Sequence, residues 1–289
     1  VVSTQSTGRS MGGGGSSQQP QNIQQNKFQI QQANQTIPDQ YKTFDELEKA
    51  LKATGIESIQ MVVGFDFSKS NEWSGERSYR QPLHGTNYVN PYMRAIKILE
   101  PIIPKFDDDG IIPAFRFGCI QTRDQSVVPL EFGKTDPHYQ GFTALQQGYL
   151  TAAQQILQGQ IKLSGPTTFA PMIRQAIDIC KAYGGRQLIF LLLLTDGDVS
   201  NMQLDQQCLI EASNYPISIC ALGLGDGPFE KMEFFDDMPG RRFDNFQFVN
   251  FTQLEANAAR CECPDLVLAT AVFQEMPDQF RAMRKLGML

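Results

Sequence analysis

Histidine is scarce: His84 and His138 are the only imidazoles among 289 residues. Neither lies near the Cys261 and Cys263 pair, so the spacing that a zinc finger or RING needs cannot be assembled there. Both histidines sit in polar, loop-like stretches with no Ser or Cys in a credible triad order, which predicts two solvated side chains. Positive charge is also short. Lys and Arg total 25 against 31 Asp and Glu, for a net charge of −6 and a pI near 5.1, whereas a phosphate backbone calls for bases clustered on one face. Nucleic acid is thereby excluded as a partner. A long hydrophobic run is missing as well. The longest, Leu188 to Leu194, falls far short of the roughly 20 residues of a membrane-spanning helix, and it reads as a strand buried on both faces.

What is present is enough for one full core, since 41% of the residues are hydrophobic. The six cysteines, Cys119, Cys180, Cys208, Cys220, Cys261 and Cys263, include several inside apolar runs, as expected of reduced thiols in an intracellular protein. Residues 1–40 are rich in Gln, Asn, Gly and Ser and poor in large apolar side chains, which predicts a disordered tail before a domain at 41–289. Within that tail, Met11 and the following Gly12, Gly13, Gly14, Gly15 and Ser16 fit the pattern for N-myristoylation. If Met11 is the start, an acylated Gly12 would bring the chain to a membrane surface. A flexible Gly/Ser linker is the alternative.

From Thr43 onward, strand and helix alternate. Thr43 with Glu46 three residues on has capping-box spacing, ahead of the apolar stripe Leu47, Ala50 and Leu51. Apolar strands are predicted at Ile59–Phe65, Ile111–Phe117, Leu188–Leu194, Ile217–Leu222 and Phe246–Phe251. Helices are predicted at Pro91–Leu99, Phe142–Leu157, Phe169–Tyr183, Leu204–Ala212 and, closing the chain, Gln253–Met283. This order implies a doubly wound α/β fold, with a mostly parallel central sheet and helices on both faces. Ligands of such folds bind at the carboxyl ends of the strands.

Two strands end in acids. The first runs into Asp66-Phe67-Ser68-Lys69-Ser70, which in an extended turn would point Asp66, Ser68 and Ser70 the same way. The third runs into Thr195-Asp196-Gly197-Asp198, and Gly197 permits a tight exit. Between them, Gly165-Pro166-Thr167-Thr168-Phe169 precedes a helix, and Thr167 or Thr168 can act as ligand or cap. Two carboxylates with neutral hydroxyls suit a hard ion, Mg2+ first and Mn2+ or Ca2+ as alternatives. They leave it short of negative charge, so a partner protein's Asp or Glu can complete the shell. Turn and cap roles are the competing reading for each segment taken alone. Asp198 either adds charge to such a site or is a solvated turn residue.

These segments carry a family likeness. Asp66-Phe67-Ser68-Lys69-Ser70-Asn71, Tyr88-Val89-Asn90-Pro91-Tyr92, Ile112-Pro113-Ala114-Phe115-Arg116-Phe117-Gly118, Gly165-Pro166-Thr167-Thr168-Phe169-Ala170-Pro171 and the stretch Phe243 to Phe251 resemble the copine-type von Willebrand A domain. Asn71-Glu72-Trp73-Ser74-Gly75 and Glu275-Met276-Pro277-Asp278-Gln279-Phe280 are most similar to the plant-type copine-like RING ubiquitin ligases. The resemblance implies a metal-ion-dependent adhesion site of Asp66, Ser68, Ser70, Thr167 and Asp196. It also implies a non-enzymatic protein-binding module in intracellular signalling or ubiquitin-linked regulation. The expected location is the cytoplasm, extending to the inner face of the plasma membrane or the nucleus. Relatives that carry a RING are ligases; this sequence shows none through Leu289, so that activity is not carried over. A component of a ubiquitin-protein ligase system and a metal-independent scaffold remain the alternatives.

Other signals point to bland roles. A haloacid-dehalogenase-like phosphatase would need an acid two residues after its nucleophilic Asp66, where Ser68 stands. Gly223-Leu224-Gly225-Asp226-Gly227 lacks dinucleotide spacing and reads as a turn, and Asp107-Asp108-Asp109-Gly110 as a capped, exposed turn.

Overall fold

The unbroken apolar run around Leu191 is covered on two sides. In the computed structural model, which describes residues 41–197 and 199–289, it forms β5 (Ile189–Thr195), buried at every position. It pairs in parallel with β1 (Gln60–Asp66) on one side and β6 (Ile217–Gly223) on the other. Side chains alternate across the sheet: Phe190, Leu192 and Leu194 join one apolar cluster, while Ile189, Leu191 and Leu193 join the other. The tail at 1–40, with Met11 and Gly12, and Asp198 lie outside the described residues.

Parallel pairing continues to β2 (Ile111–Phe117) beyond β1 and to β7 (Phe246–Asn250) beyond β6. Two short strands, β3 (Val128–Pro129) and β4 (His138–Gln140), run antiparallel to β2 and cover its outer edge. Two and three residues are too few to leave a periodic signal, so sequence reading passed over them. The sheet order is β3-β2-β1-β5-β6-β7, with β4 also on β2. The chain winds outward from β1 to β2, then returns to β5 on the other side of β1. The carboxyl ends of β1 and β5 are therefore neighbours at the switch point, where doubly wound sheets place their ligands.

One face is covered by α1 (Phe44–Ala53), α2 (Pro91–Lys97), α3 (Gly141–Leu157), α7 (Phe251–Ala258), α8 (Pro264–Val272) and α9 (Met276–Lys285). The other is covered by α4 (Ala170–Ala182), α5 (Met202–Ala212) and α6 (Glu230–Asp236). The box at α1 forms with a shift. Thr43 Oγ1 accepts from Glu46 N at 3.2 Å, while Glu46 Oε2 reaches back to Lys42 N at 2.7 Å. The single closing helix expected over Gln253–Met283 is three, because Pro264 and Pro277 each occupy a first turn, and a proline there can start a helix but cannot continue one. All six cysteines are free thiols, with Cys261 and Cys263 half-buried and the rest buried. Asp107 and Asp109 cap their own turn, accepting from Gly110 N and Ile111 N.

Around the start of α9 the charge balance is acidic. Burial, followed by the Asp236 and Asp244 carboxylates, pushes Glu275 up to about 8, and Arg241 offsets this only in part. Arg241 already pairs with Asp244 at 2.7 Å, and burial lifts Asp236 itself to about 7. A carboxyl raised in the folded state stabilises fully below its ordinary value near 4.5, and that contribution is lost as pH rises through the folded value. Glu275→Gln is expected to be more stable than wild type at pH 8–9 by about 1–2 kcal/mol and indistinguishable at pH 4.5. Urea unfolding at the two pH values measures the difference.

Candidate metal centre

β1 hands the chain to a loop that does not stay extended. Phe67 N still bonds Phe117 O at 2.8 Å and Ser68 bridges Ser164 in parallel, but Lys69–Glu72 then coils into a 3-10 turn. The expected alternation of Asp66, Ser68 and Ser70 along an extended segment is thus replaced by a bend. The bend still gathers the hydroxyls, with Ser68 Oγ and Ser70 Oγ 3.0 Å apart.

Asp66 is fully buried, and its two carboxylate oxygens are held separately. Oδ1 accepts from Ser68 N at 2.8 Å and Oδ2 from the Thr195 hydroxyl at 2.7 Å. Thr195 in turn accepts from Gly197 N, so the end of β5 is tied to the end of β1. Asp196 is buried, and its Oδ2 accepts from Ser74 Oγ at 3.0 Å; the same hydroxyl lies 2.9 Å from Ser70 O. Burial, then the charge of Asp196, pushes Asp66 up to about 7. Two carboxylates this close in a dry setting hold an excess of negative charge that a divalent cation would relieve.

Thr167 and Thr168 separate cleanly in role. Thr168 Oγ1 donates to Asp205 Oδ1 and accepts from Ala170 N, the first residue of α4, so its hydroxyl is spent on the helix start, one residue before the N-cap Phe169. Thr167 is buried at the same place: Thr167 Oγ1 and Asp66 Oδ1 each lie 3.0 Å from the point that a Cβ on Gly118 would occupy. Gly118, at φ +76°, leaves open a cradle bounded by one carboxylate and one hydroxyl oxygen. The donor set is hard oxygen throughout, matching Mg2+ or a similar ion. Among the described residues no group of three or more His, Cys, Asp or Glu forms a metal cluster, so any ion here would depend on these hydroxyls.

Several supporting residues carried no sequence signal. His84, expected in solvent, is 5% exposed and lies under the site. Its Nε2 donates to the Asp66 carbonyl at 2.9 Å, which leaves Nδ1 to accept from the Tyr149 hydroxyl at 2.9 Å. Phe67 and Tyr92 flank the ring, with centroids 4.5 and 4.3 Å away. The cause is plain: its neighbours in sequence are polar, but the covering aromatics come from the loop just after β1, from α2 and from α3. His138, by contrast, is exposed as expected and pairs with Asp136. The Tyr92 hydroxyl lies 2.7 Å from Asn71 Oδ1 and 3.0 Å from Asp66 O, its one proton shared between these acceptors, and Asn71 Nδ2 lies 3.0 Å from Ser68 Oγ. The Gly223–Gly227 turn is a clamp on the loop that follows Ser70. Asp226 accepts from Arg77 N and Ser78 N, and a Cβ on Gly225 would meet Ser74 O at 2.3 Å.

Burial drives the His84 value down to about 4 from an ordinary 6.5. A base depressed in this way stabilises fully above 6.5 and loses that contribution as pH falls toward 4. His84→Phe keeps the ring packing, while Tyr92 still serves Asp66 O and Asn90 still serves Tyr149. The expected cost at pH 7 is therefore modest, about 1–2 kcal/mol, and it shrinks at pH 5, where wild type alone carries the proton penalty. Urea midpoints at both pH values check this.

The family model described as Copine matches residues 82–289. The chain belongs to the copine family. This copine chain is 39% identical over 269 residues to E3 ubiquitin-protein ligase RGLG5 of Arabidopsis thaliana, across 88% of the chain and 60% of that protein. It is 38% identical over 280 residues to RGLG2 of the same plant, across 91% of the chain and 58% of the relative. Copine family protein 2 of Caenorhabditis elegans is 37% identical over 254 residues, across 86% of the chain and 3% of that protein. The copine chain spans less than two thirds of the length of these curated relatives. Among solved structures, a von Willebrand factor type A protein from Catenulispora acidiphila is 14% identical with a TM-score of 0.43, over 75% of the chain and 43% of that one. Manganese-loaded TRAP protein of Plasmodium vivax is 11% identical with a TM-score of 0.41, over 67% and 68%. Identities this low concern the fold alone, and the manganese is that protein's.

Proposed function

We propose that the chain is a protein-binding module in ubiquitin-linked regulation, and that it grips its partner through a divalent cation held by Asp66, Ser68, Ser70, Thr167 and Asp196. The observation that carries this reading is the cradle over Gly118, where Asp66 Oδ1 and Thr167 Oγ1 face one open point beside a second buried carboxylate. Mg2+ fits the oxygen set best, with Mn2+ and Ca2+ as competitors. The cation would supply an electrophilic position for an incoming carboxylate. The chain's own residues set the terms of that grip: Thr195 and Ser68 N orient Asp66, Ser74 orients Asp196, and His84 and Tyr92 hold the Asp66 backbone from below. The ligases among its relatives motivate the ubiquitin link, in which this module would serve as the adaptor that holds a partner. Its site of action on this reading is cytoplasmic, at a membrane surface if Gly12 is acylated.

Isothermal titration with Mg2+, Mn2+ and Ca2+, paired with a pulldown from cell extract with and without chelator, tests the reading. Saturable heat and chelator-sensitive capture support it. Absence of heat with all three ions would sink it in favour of a metal-independent scaffold.

A further inference from the structure

The loops that frame the metal centre leave two large apolar side chains in water. Trp73, the chain's single tryptophan, is 51% exposed, and Ile120 is 52% exposed. Neither position is remote from the site. Trp73 closes the 3-10 turn, its N–H bonding Ser70 O at 3.0 Å, and it directly precedes Ser74, which touches Asp196. Ile120 stands two residues after Gly118, whose missing Cβ opens the cradle. The strip at 162–164 stitches the two loops together: Lys69 N bonds Ser164 O at 2.6 Å, Ile120 N bonds Lys162 O at 2.9 Å, and Cys119 bridges Leu163.

Exposed bases share this rim. Lys162 lies on the connecting strip, and Arg123 lies on a turn whose carbonyl accepts from Gly118 N at 3.3 Å. The acids Glu72, paired with Lys69 at 2.6 Å, and Asp124 stand among these bases, so the rim is mixed in charge and its distinctive groups are the two apolar side chains. Isolated exposed apolar residues are ordinary on protein surfaces. Here one stands on each of two loops that contribute residues to the candidate site, and the 162–164 strip joins those loops.

We propose that Trp73 and Ile120 determine partner choice, selecting a protein segment whose metal-seeking Asp or Glu is flanked by large apolar side chains. The inference rests on the metal-dependent reading above and names the chemistry of its partner. A cation at the centre would orient the acidic segment toward it. The aromatic and aliphatic surfaces then supply the affinity that one carboxylate alone lacks, since a few apolar anchors carry most of an interface's energy.

The probes are capped heptapeptides with a central Glu flanked on both sides by Leu or by Ser, and a Gln-centred Leu peptide. Binding is read by fluorescence anisotropy in Mg2+, with Mg2+ titration calorimetry run on the same samples. The Leu-flanked Glu peptide is expected to bind at least about tenfold more tightly than the Ser-flanked one, and the Gln peptide to bind poorly. Trp73→Ala and Ile120→Ser are each expected to erase most of the Leu preference while leaving the Mg2+ heat intact. Equal affinity for Leu and Ser flanks, no binding of either peptide by metal-loaded protein, or an undiminished preference in both variants overturns the inference. If the Mg2+ heat itself is absent, the metal-dependent reading fails first, and calorimetry separates that result from the others.

Discussion

Asp66→Asn is expected to abolish the heat of divalent-cation binding while making the metal-free protein more stable at pH 8. The two effects share one cause. The carboxylate is fully buried, and burial together with Asp196 raises its pKa to about 7, so at pH 8 the empty site holds like charges that repel. An amide of the same shape removes that repulsion. Asn can keep the existing hydrogen bonds: its oxygen accepts from Ser68 N, and its amide donates to Thr195 Oγ1, which already accepts from Gly197 N. The sign follows the linkage rule for a raised acid. Stability from the protonated form is complete below the ordinary value of 3.8 and is lost as pH rises through about 7. In wild type a saturating ion restores it. At a free Mg2+ concentration of about 100 times Kd, binding adds ~2.7 kcal/mol, or roughly 5–10 °C in Tm for a chain of this size. The variant should show the higher metal-free Tm and no ion-dependent shift. A variant that still gains several degrees with Mg2+ removes Asp66 from the ligand set.

Gly118→Ala is expected to lower stability and metal affinity together. At φ +76° any L side chain is strained, at a cost of about 1–3 kcal/mol. The added carbon would also stand 3.0 Å from Asp66 Oδ1, 3.0 Å from Thr167 Oγ1 and 3.1 Å from Ser68 N. None of these is the far end of a flexible side chain: Asp66 is pinned through both oxygens, and the Thr167 carbonyl is held by Ser200. Relief must therefore move a metal-seeking oxygen. Loss of ion affinity by about tenfold or more should accompany the fall in Tm, both read by titration calorimetry and thermal melts. Gly133→Ala is the control, because its φ of +83° carries the same strain while nothing lies within 4 Å of its Cβ. Equal ion affinities in the two variants would show that the Gly118 cradle is not part of the site.

The acids at the ends of β1 and β5, and the hydroxyls that follow Asp66, were legible because each segment ends an apolar strand in a loop with its own local signal. The partition between Thr167 and Thr168 was not legible. Both precede a helix, and only the contact of Asp205 with Thr168 from α5, a separate element, assigns one hydroxyl to capping and frees the other. Likewise the Gly223–Gly227 turn could be read as a turn, but its grip on Arg77 and Ser78 joins segments about 150 positions apart, shown by the bonds to Asp226 at separations of 148 and 149.

By itself the amino-acid order determined the strand and helix alternation, the doubly buried β5 and the residues that could hold a hard ion, because those depend on periodicity and on chemistry within a few neighbours. Only the tertiary structure decided that β1 and β5 lie side by side, that Gly118 opens the space between Asp66 and Thr167, and that His84 is a buried prop rather than a solvated ring. Each of these depends on which distant segments pack together, and no local pattern in a chain records its long-range contacts.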